Sequence, residues 1–328
     1  MEQKKPLLIV LTPVRNEAWV LKAFLRATSL WADYIIIADQ MSDDGSRDLY
    51  AQFPKVKVID NTRKEMHQAA TRRLLLEEAK KIEGDKILFA LDADEFLSGN
   101  FVETEGWRTI MNSEPGDVFE FRWMNLSADA TKYSTWQPYY WAAHLDKDLL
   151  NGEFPDNFIH EWRLPWPKQE KHVYIIEDIS FIHFARVNVK RQRNKERFYQ
   201  ISQSASMDRY SGVSFYRQYH PVEEEKLYNV PDNAYAYYEA NGVDVQGLID
   251  LSDGGRHYLD AILNIFQYKD AKYFHKLDVW DFDFCKECNV KDPRNIIDKL
   301  LHYYLRCTTT SSKNAIIHIF DKILKHIY

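Results

Sequence analysis

The sequence predicts an α/β protein built on a doubly wound sheet, followed by a mainly helical region. Three observations carry this prediction. Within the first hundred residues, short apolar runs alternate with segments that repeat their apolar positions at helical spacing. The connections are short, as expected of parallel strands joined by right-handed helical crossovers. Polar or acidic strings begin where each run stops, at the carboxyl edge where open α/β sheets bind ligands.

Residues 7–11 are wholly apolar and read as the first strand, with Thr12-Pro13-Val14-Arg15-Asn16 as the loop after it. Residues 17–31 carry Val20, Leu21, Phe24, Leu25 and Ala27 at helical spacing. Residues 34–38 form the second strand, ended by the polar stretch 39–46. A short helix through Leu49 leads to the third strand, 56–59. A longer helix spans about 66–82, and Gly84-Asp85 turns into the fourth strand, 87–91. Beyond Asn100 the pattern loosens. Residues 118–123 alternate with period two, which suits an antiparallel or mixed strand and makes the sheet mixed. The stretch 136–167, rich in Trp, Tyr, Pro, Asn and Asp, reads as loops over a cleft. Ile175-Ile176 and residues 179–184 suggest short strands that close the sheet. From about Val189 the chain turns helical and charged, with a boundary expected near residue 205. The last helix, 314–328, puts Ile316, Ile319, Phe320, Ile323, Leu324 and Ile327 on one face, while Lys322, Lys325 and His326 lie elsewhere. That face either packs on the protein or meets an anionic membrane surface.

Composition narrows the function classes. The chain has 328 residues, enough for one large domain or two smaller ones with full cores. Its net charge of −6 argues against nonspecific nucleic-acid binding, which draws on basic surface. Three cysteines suit a reducing compartment, and Cys285-Lys286-Glu287-Cys288 lacks the second pair that a zinc site needs. No leader pattern stands at the first residues and no apolar run is long enough to span a bilayer. The expected location is cytoplasmic, with peripheral contact at the inner membrane face through the last helix.

The densest chemistry is Asp92-Ala93-Asp94-Glu95, at the end of the fourth strand. Carboxylates placed there resist burial unless a cation or strong donors neutralise them, and a divalent metal holding phosphates meets that need. After the first strand, Thr12 to Glu17 can offer backbone groups and a helix N-terminus to an anion. After the second, Asp39 can accept from a base edge, and Asp44-Gly45-Ser46 is turn chemistry. A calcium helix-loop-helix is excluded, because Phe96 and Leu97 stand where an oxygen ligand and a glycine are required. A phosphatase of the haloacid dehalogenase type would use Asp92 as nucleophile. It would expect a small or β-branched residue where Phe96 stands, and its motif after the first strand. A catalytically inactive sugar-nucleotide-binding module is the other alternative, and donor hydrolysis with Mn²⁺ separates it from an enzyme.

Taken in order, Thr12-Pro13-Val14-Arg15-Asn16-Glu17, Asp39 with Ser42 and Asp44-Gly45-Ser46, Arg72, and Asp92-Ala93-Asp94-Glu95 resemble the family 2 glycosyltransferases of the GT-A fold. The resemblance covers residues 7–96 and implies roles by position. Thr12 and Pro13 line the nucleoside and Glu17 closes that motif. Asp39 contacts the base, usually uracil. Arg72, in Ala70-Thr71-Arg72-Arg73, approaches the nucleotide. Asp92 faces the ribose and metal-bound water, and Asp94 the metal. Gln40, Met41 and Arg73 depart from the usual acidic, Gly and Asn residues. The implied domains are 1–205, the GT-A nucleotide-sugar-binding and catalytic part, and 206–328, a mainly helical acceptor-side region.

Two histidines stand out further on. His183 lies in the apolar run Phe181-Ile182-His183-Phe184, and such a residue is either a core histidine or, as the resemblance implies, a metal ligand beside Asp92 and Asp94. Imidazole with carboxylates suits Mn²⁺ better than Mg²⁺. The basic segment Lys190, Arg191, Arg193, Lys195 and Arg197 follows it, either a solvated helix face or a stabiliser of a leaving diphosphate. His160-Glu161 has apolar and aromatic neighbours that would raise the Glu161 carboxyl toward a useful base, with Asp156 and Asp178 as alternatives. The expected activity is metal-dependent, inverting transfer from a nucleoside diphosphate sugar, UDP-linked, to a hydroxyl of a glycan or lipid-linked acceptor, with Mn²⁺ or Mg²⁺ as cofactor and Glu161 as catalytic base.

Overall fold

A computed structural model describes residues 5–63, 67–135, 137–146, 152, 154, 163–165, 172–220, 226–312 and 314–328. The alternation of the first hundred residues becomes β1 (Leu7–Val14), α1 (Ala18–Ser29), β2 (Tyr34–Asp39), α2 (Ser46–Tyr50), β3 (Val56–Asp60), α3 (Gln68–Lys80) and β4 (Lys86–Ala90). These four strands pair in parallel in the order β3, β2, β1, β4. Residue parity along β1 decides the winding. Leu8 and Val10 join the core that holds Trp19, Val20 and Phe24 of α1, whereas Ile9 and Leu11 join the one holding Leu75, Leu76 and Ala79 of α3. A strand covered on both faces has no polar side, so its sequence reads as an unbroken apolar run.

The sheet then turns mixed. It adds β5 (Glu95–Leu97), β6 (Val118–Leu126), β7 (Lys132–Ser134), β8 (Tyr139–His144), β9 (Val173–His183) and β10 (Tyr228–Asn229), with α4 (Glu105–Met111) before β6. β8 lies antiparallel between β4 and β6, and β9 runs parallel to β6 and antiparallel to β5. Two expectations are corrected here. Part of the stretch read as cleft loops, Tyr139–His144, is a buried strand inside the sheet, because its aromatic and alanine side chains pack on both faces. The two short strands expected near 175–184 are one strand, and its irregular pairing between Phe121 and Arg122 of β6 absorbs the break in the apolar pattern.

The chain divides into two compact units. The first is Met1–Val187 with Lys226–Ser252, and the second is Asn188–Glu225 with Asp253–Tyr328. The boundary thus precedes the residue 205 expected from sequence, and residues 226–252 return to the first unit. Tyr235, Tyr238, Val243 and Val245 are buried in the first core, which explains the return. The second unit holds α5 (Val189–Ala205), α6 (Gly212–Tyr219), α8 (Arg256–Tyr268), α9 (Phe282–Cys288), α10 (Ile296–Cys307) and α11 (Ala315–Ile327), while α7 (Ala236–Ala240) belongs to the first. Helix α5 belongs with the second unit through Arg191 on Asp253, Asn194 on the Gly254 carbonyl and Arg197 on Asp281. Cys285, Cys288 and Cys307 are free thiols, and burial pushes Cys288 up to about 11. Among the described residues no helix is long and apolar enough to cross a membrane.

Candidate functional site

Strands β2, β1 and β4 are neighbours, so Asp39, Thr12 to Val14 and Asp92 follow one another along one carboxyl edge. At about 4.8 Å per strand, the ends of β2 and β4 lie roughly 10 Å apart, the scale of a nucleoside with its first phosphates. Thr12 is fully buried and its hydroxyl has no partner among the described residues. Pro13 is half-buried beside it.

The loops after β1 and β2 are locked together. Asn16, which adopts a left-handed backbone (φ 57°) that its short amide tolerates, donates to Asp43 and accepts the Asp43 N–H. Ser42 Oγ accepts the Asn16 N–H, Ser46 Oγ the Glu17 N–H, and Asp44 the Ala18 N–H. The first helix N-terminus, expected to face an anion, is therefore capped by the protein's own Asp44 and serines. Glu17 accepts from the Trp19 indole at 2.7 Å. Asp39 is enclosed: its carboxylate accepts from the Ser42 N–H at 2.9 Å, Arg47 at 2.7 Å and the Tyr50 hydroxyl at 2.6 Å. Burial first, then this bond to Asp39, pushes the Tyr50 hydroxyl well above its ordinary value. A base edge could reach that carboxylate only if one of these donors gave way.

At the end of β4, two carboxylates, Asp92 and Glu95, meet two buried guanidiniums. Arg72 donates to Asp92 Oδ1 at 2.8 Å and Arg163 to Asp92 Oδ2 at 2.9 Å. Arg163 also forks onto Glu95, which is fully buried and further accepts the Asp92 N–H and the Trp123 indole. Burial alone would lower Arg163, but Asp92 and Glu95 outweigh it and hold the guanidinium above its ordinary value. For Arg72 burial wins: its value is lowered, with Asp92 opposing and Arg163 reinforcing the fall. Its Nη1 is buried without a partner among the described residues, a donor suited to an anion. Neighbouring Arg73 is exposed, so of the two arginines Arg72 is the one inside.

Asp94 and His183 come together across the β5–β9 pairing, with Asp94 Oδ2 and His183 Nε2 3.7 Å apart. His183 Nδ1 lies 2.7 Å from Asn125 Oδ1, so a ring that donates there from Nδ1 turns Nε2 toward Asp94. A lone pair facing a carboxylate repels it unless a proton or cation stands between them. The pair thus fits a divalent ion whose other ligands are phosphate oxygens and water. Asp92, which accepts from Arg72 and Arg163, keeps 38% side-chain exposure beside this pair. Among the described residues no cluster of three or more potential ligands is formed.

Several predicted residues fall elsewhere. Glu161, His160 and Asp156 lie outside the described residues. Asp178 is an exposed carboxylate that accepts the Gly106 N–H at the start of α4. Of the basic segment, Lys190, Arg191 and Arg197 are paired within the second unit to Glu287, Asp253 and Asp281. Sequence reading missed Arg163, Trp123 and Asn125. Trp123 stacks on His183 at 5.1 Å, and the alternation of β6 that puts Trp123 and Asn125 on one face was the available signal. For Arg163 it was a lone guanidinium between Trp162 and Leu164.

Residues 9–104 match the family model of glycosyl transferase family 2, a segment that holds Thr12, Pro13, Glu17, Asp39, Arg72, Asp92 and Asp94. The matched segment lies within the first unit, whose mixed α/β sheet has the Rossmann-like GT-A architecture. No curated protein matches the chain. Among solved structures, the inositol-1-phosphate CTP transferase from T. maritima is similar at 8% identity and a TM-score of 0.35, over 55% of this chain and 90% of that one. HddC from Yersinia pseudotuberculosis is 12% identical over 55% and 93%, with a TM-score of 0.32. A 4-diphosphocytidyl-2C-methyl-D-erythritol synthase is 10% identical over 54% and 90%, with a TM-score of 0.29.

Proposed function

We propose that this protein is a metal-dependent inverting glycosyltransferase that moves a sugar from a UDP-linked donor to a hydroxyl of a glycan or lipid-linked acceptor. The observation that carries this reading is the Asp92-Ala93-Asp94 loop, clamped by Arg72 and Arg163 so that Asp94 meets His183. Asp94 and His183 would hold Mn²⁺ or Mg²⁺. When bound, the ion offsets charge that develops on the departing diphosphate. The buried Nη1 of Arg72 adds a second donor to that charge, preorganised in a water-poor site. Thr12, Pro13 and the loop held by Asp39 border the nucleoside, and Glu161 takes the proton of the acceptor hydroxyl. A single displacement on the opposite face inverts the anomeric carbon and needs no protein nucleophile.

Asp94→Ala is expected to abolish Mn²⁺-dependent UDP binding in a folded protein, and His183→Ala to weaken it less. Titration calorimetry with and without Mn²⁺ decides this: unchanged metal-dependent affinity in Asp94→Ala sinks the proposal. Asp39→Ala is expected to weaken UDP binding by about 1–3 kcal/mol, because it strands the Tyr50 hydroxyl and frees the loop beside the base. An unaltered Kd in that variant would put the nucleoside elsewhere.

A further inference from the structure

The helix-faced apolar stripe at the end of the second unit does not pack inward. Ile316, Ile319, Phe320 and Ile323 of α11 follow one another at helical spacing and each keeps more than half of its surface exposed. What α11 buries instead is Asp321, paired with Arg217 at 2.7 Å, and Leu324 is packed with Tyr328 against Val213, Tyr216 and Leu305. Helix α10 repeats the pattern: Ile296, Ile297, Leu300 and Tyr303 are exposed, and Asp298 is buried. Asp298 accepts the Asn295 N–H and lies 3.0 Å from the His275 ring. The two helices contain no other carboxylate; Arg306 is paired with Asp278 and Lys299 with Asp292, while Lys322 and Lys325 of α11 are exposed. A chain of net charge −6 thus displays large apolar side chains on both helices, and on α11 two exposed lysines beside them.

We propose that α10 and α11 dock the protein on the surface of an anionic lipid bilayer, with the apolar residues in the acyl boundary and the lysines among the headgroups. Patches this apolar mark interaction sites, and an apolar helix face flanked by lysine is the chemistry of an interfacial helix. A symmetric second copy fits less well, because its two-fold contact sets like charges against one another. The proposal stands apart from the donor chemistry, which resides in the first unit.

Sedimentation of the full chain with vesicles tests it. Binding is expected to phosphatidylcholine vesicles that contain phosphatidylglycerol and not to phosphatidylcholine alone, and to fall as salt rises. Lys322→Gln with Lys325→Gln should weaken it about thirtyfold, from the usual effect of two basic residues near such a surface. Ile319→Ser with Ile323→Ser should weaken it about a hundredfold through lost apolar burial. All four side chains are exposed, so circular dichroism should be unchanged. Asp94→Ala should still bind vesicles while losing UDP, which keeps this proposal and the catalytic one separable. Equal binding to both vesicle types, or vesicle affinity unmoved by either pair, overturns the proposal. So does a protein that stays off vesicles and forms a dimer that the isoleucine pair dissolves.

Discussion

Arg163→Met is expected to destabilise the protein by about 3–5 kcal/mol, the usual cost of removing one partner from a buried charge cluster. Glu95 is fully buried and takes both guanidinium nitrogens of Arg163, so methionine leaves its carboxylate with only the Trp123 indole and the Asp92 N–H. Asp92 keeps Arg72 and 38% side-chain exposure, so water can compensate it. The loss therefore falls on Glu95. Arg163→Lys keeps the charge but not the fork, and should recover only part of it. Urea denaturation checks the prediction, and a midpoint for Arg163→Met within a few tenths of a kcal/mol of wild type would refute it. Adding Glu95→Gln to Arg163→Met should restore stability, because it removes the stranded charge.

The same cluster shows what could be read from the sequence. Asp92 and Asp94 were legible because an apolar run ended on them, and strand ends are where a parallel sheet gathers its ligands. Arg72 was legible only through its place in an ordered set of motifs. The partner that clamps both Asp92 and Glu95 was not, since Arg163 lies about seventy residues along the chain from either and local periodicity carries nothing about long-range pairing. The strand β8 failed for a related reason. Tyr139–His144 is aromatic and alanine-rich, bounded by residues that elsewhere mark loops, and only its place between β4 and β6 makes it a core strand.

The last helix was legible as amphipathic yet its outcome was not. Spacing tells which residues share a face, and it says nothing about which face has a partner. In this chain the buried side holds Asp321 and Leu324, and the apolar stripe is left outside. Likewise Asp39 was legible as a strand-end carboxylate, but the three donors that enclose it come from Ser42 and from Arg47 and Tyr50 of α2, whose approach is set by tertiary packing.

Glu161→Gln is expected to keep donor binding and to lower transfer by about a hundredfold or more, the usual range for loss of a general base. Inverting displacement needs a carboxylate near the acceptor hydroxyl, on the face away from the diphosphate. Glu161 is assigned this role from its place in the sequence, two residues before Arg163, which is anchored on Asp92 and Glu95. Asp178, the alternative on β9, has its carboxylate committed to the Gly106 N–H. The Gln variant should lose transfer while its metal-dependent UDP affinity stays put. Paired measurements of transfer rate and UDP affinity separate a base from a binding residue. Near wild-type turnover in Glu161→Gln would exclude the assignment, and loss of UDP affinity in the same variant would move Glu161 to the donor side.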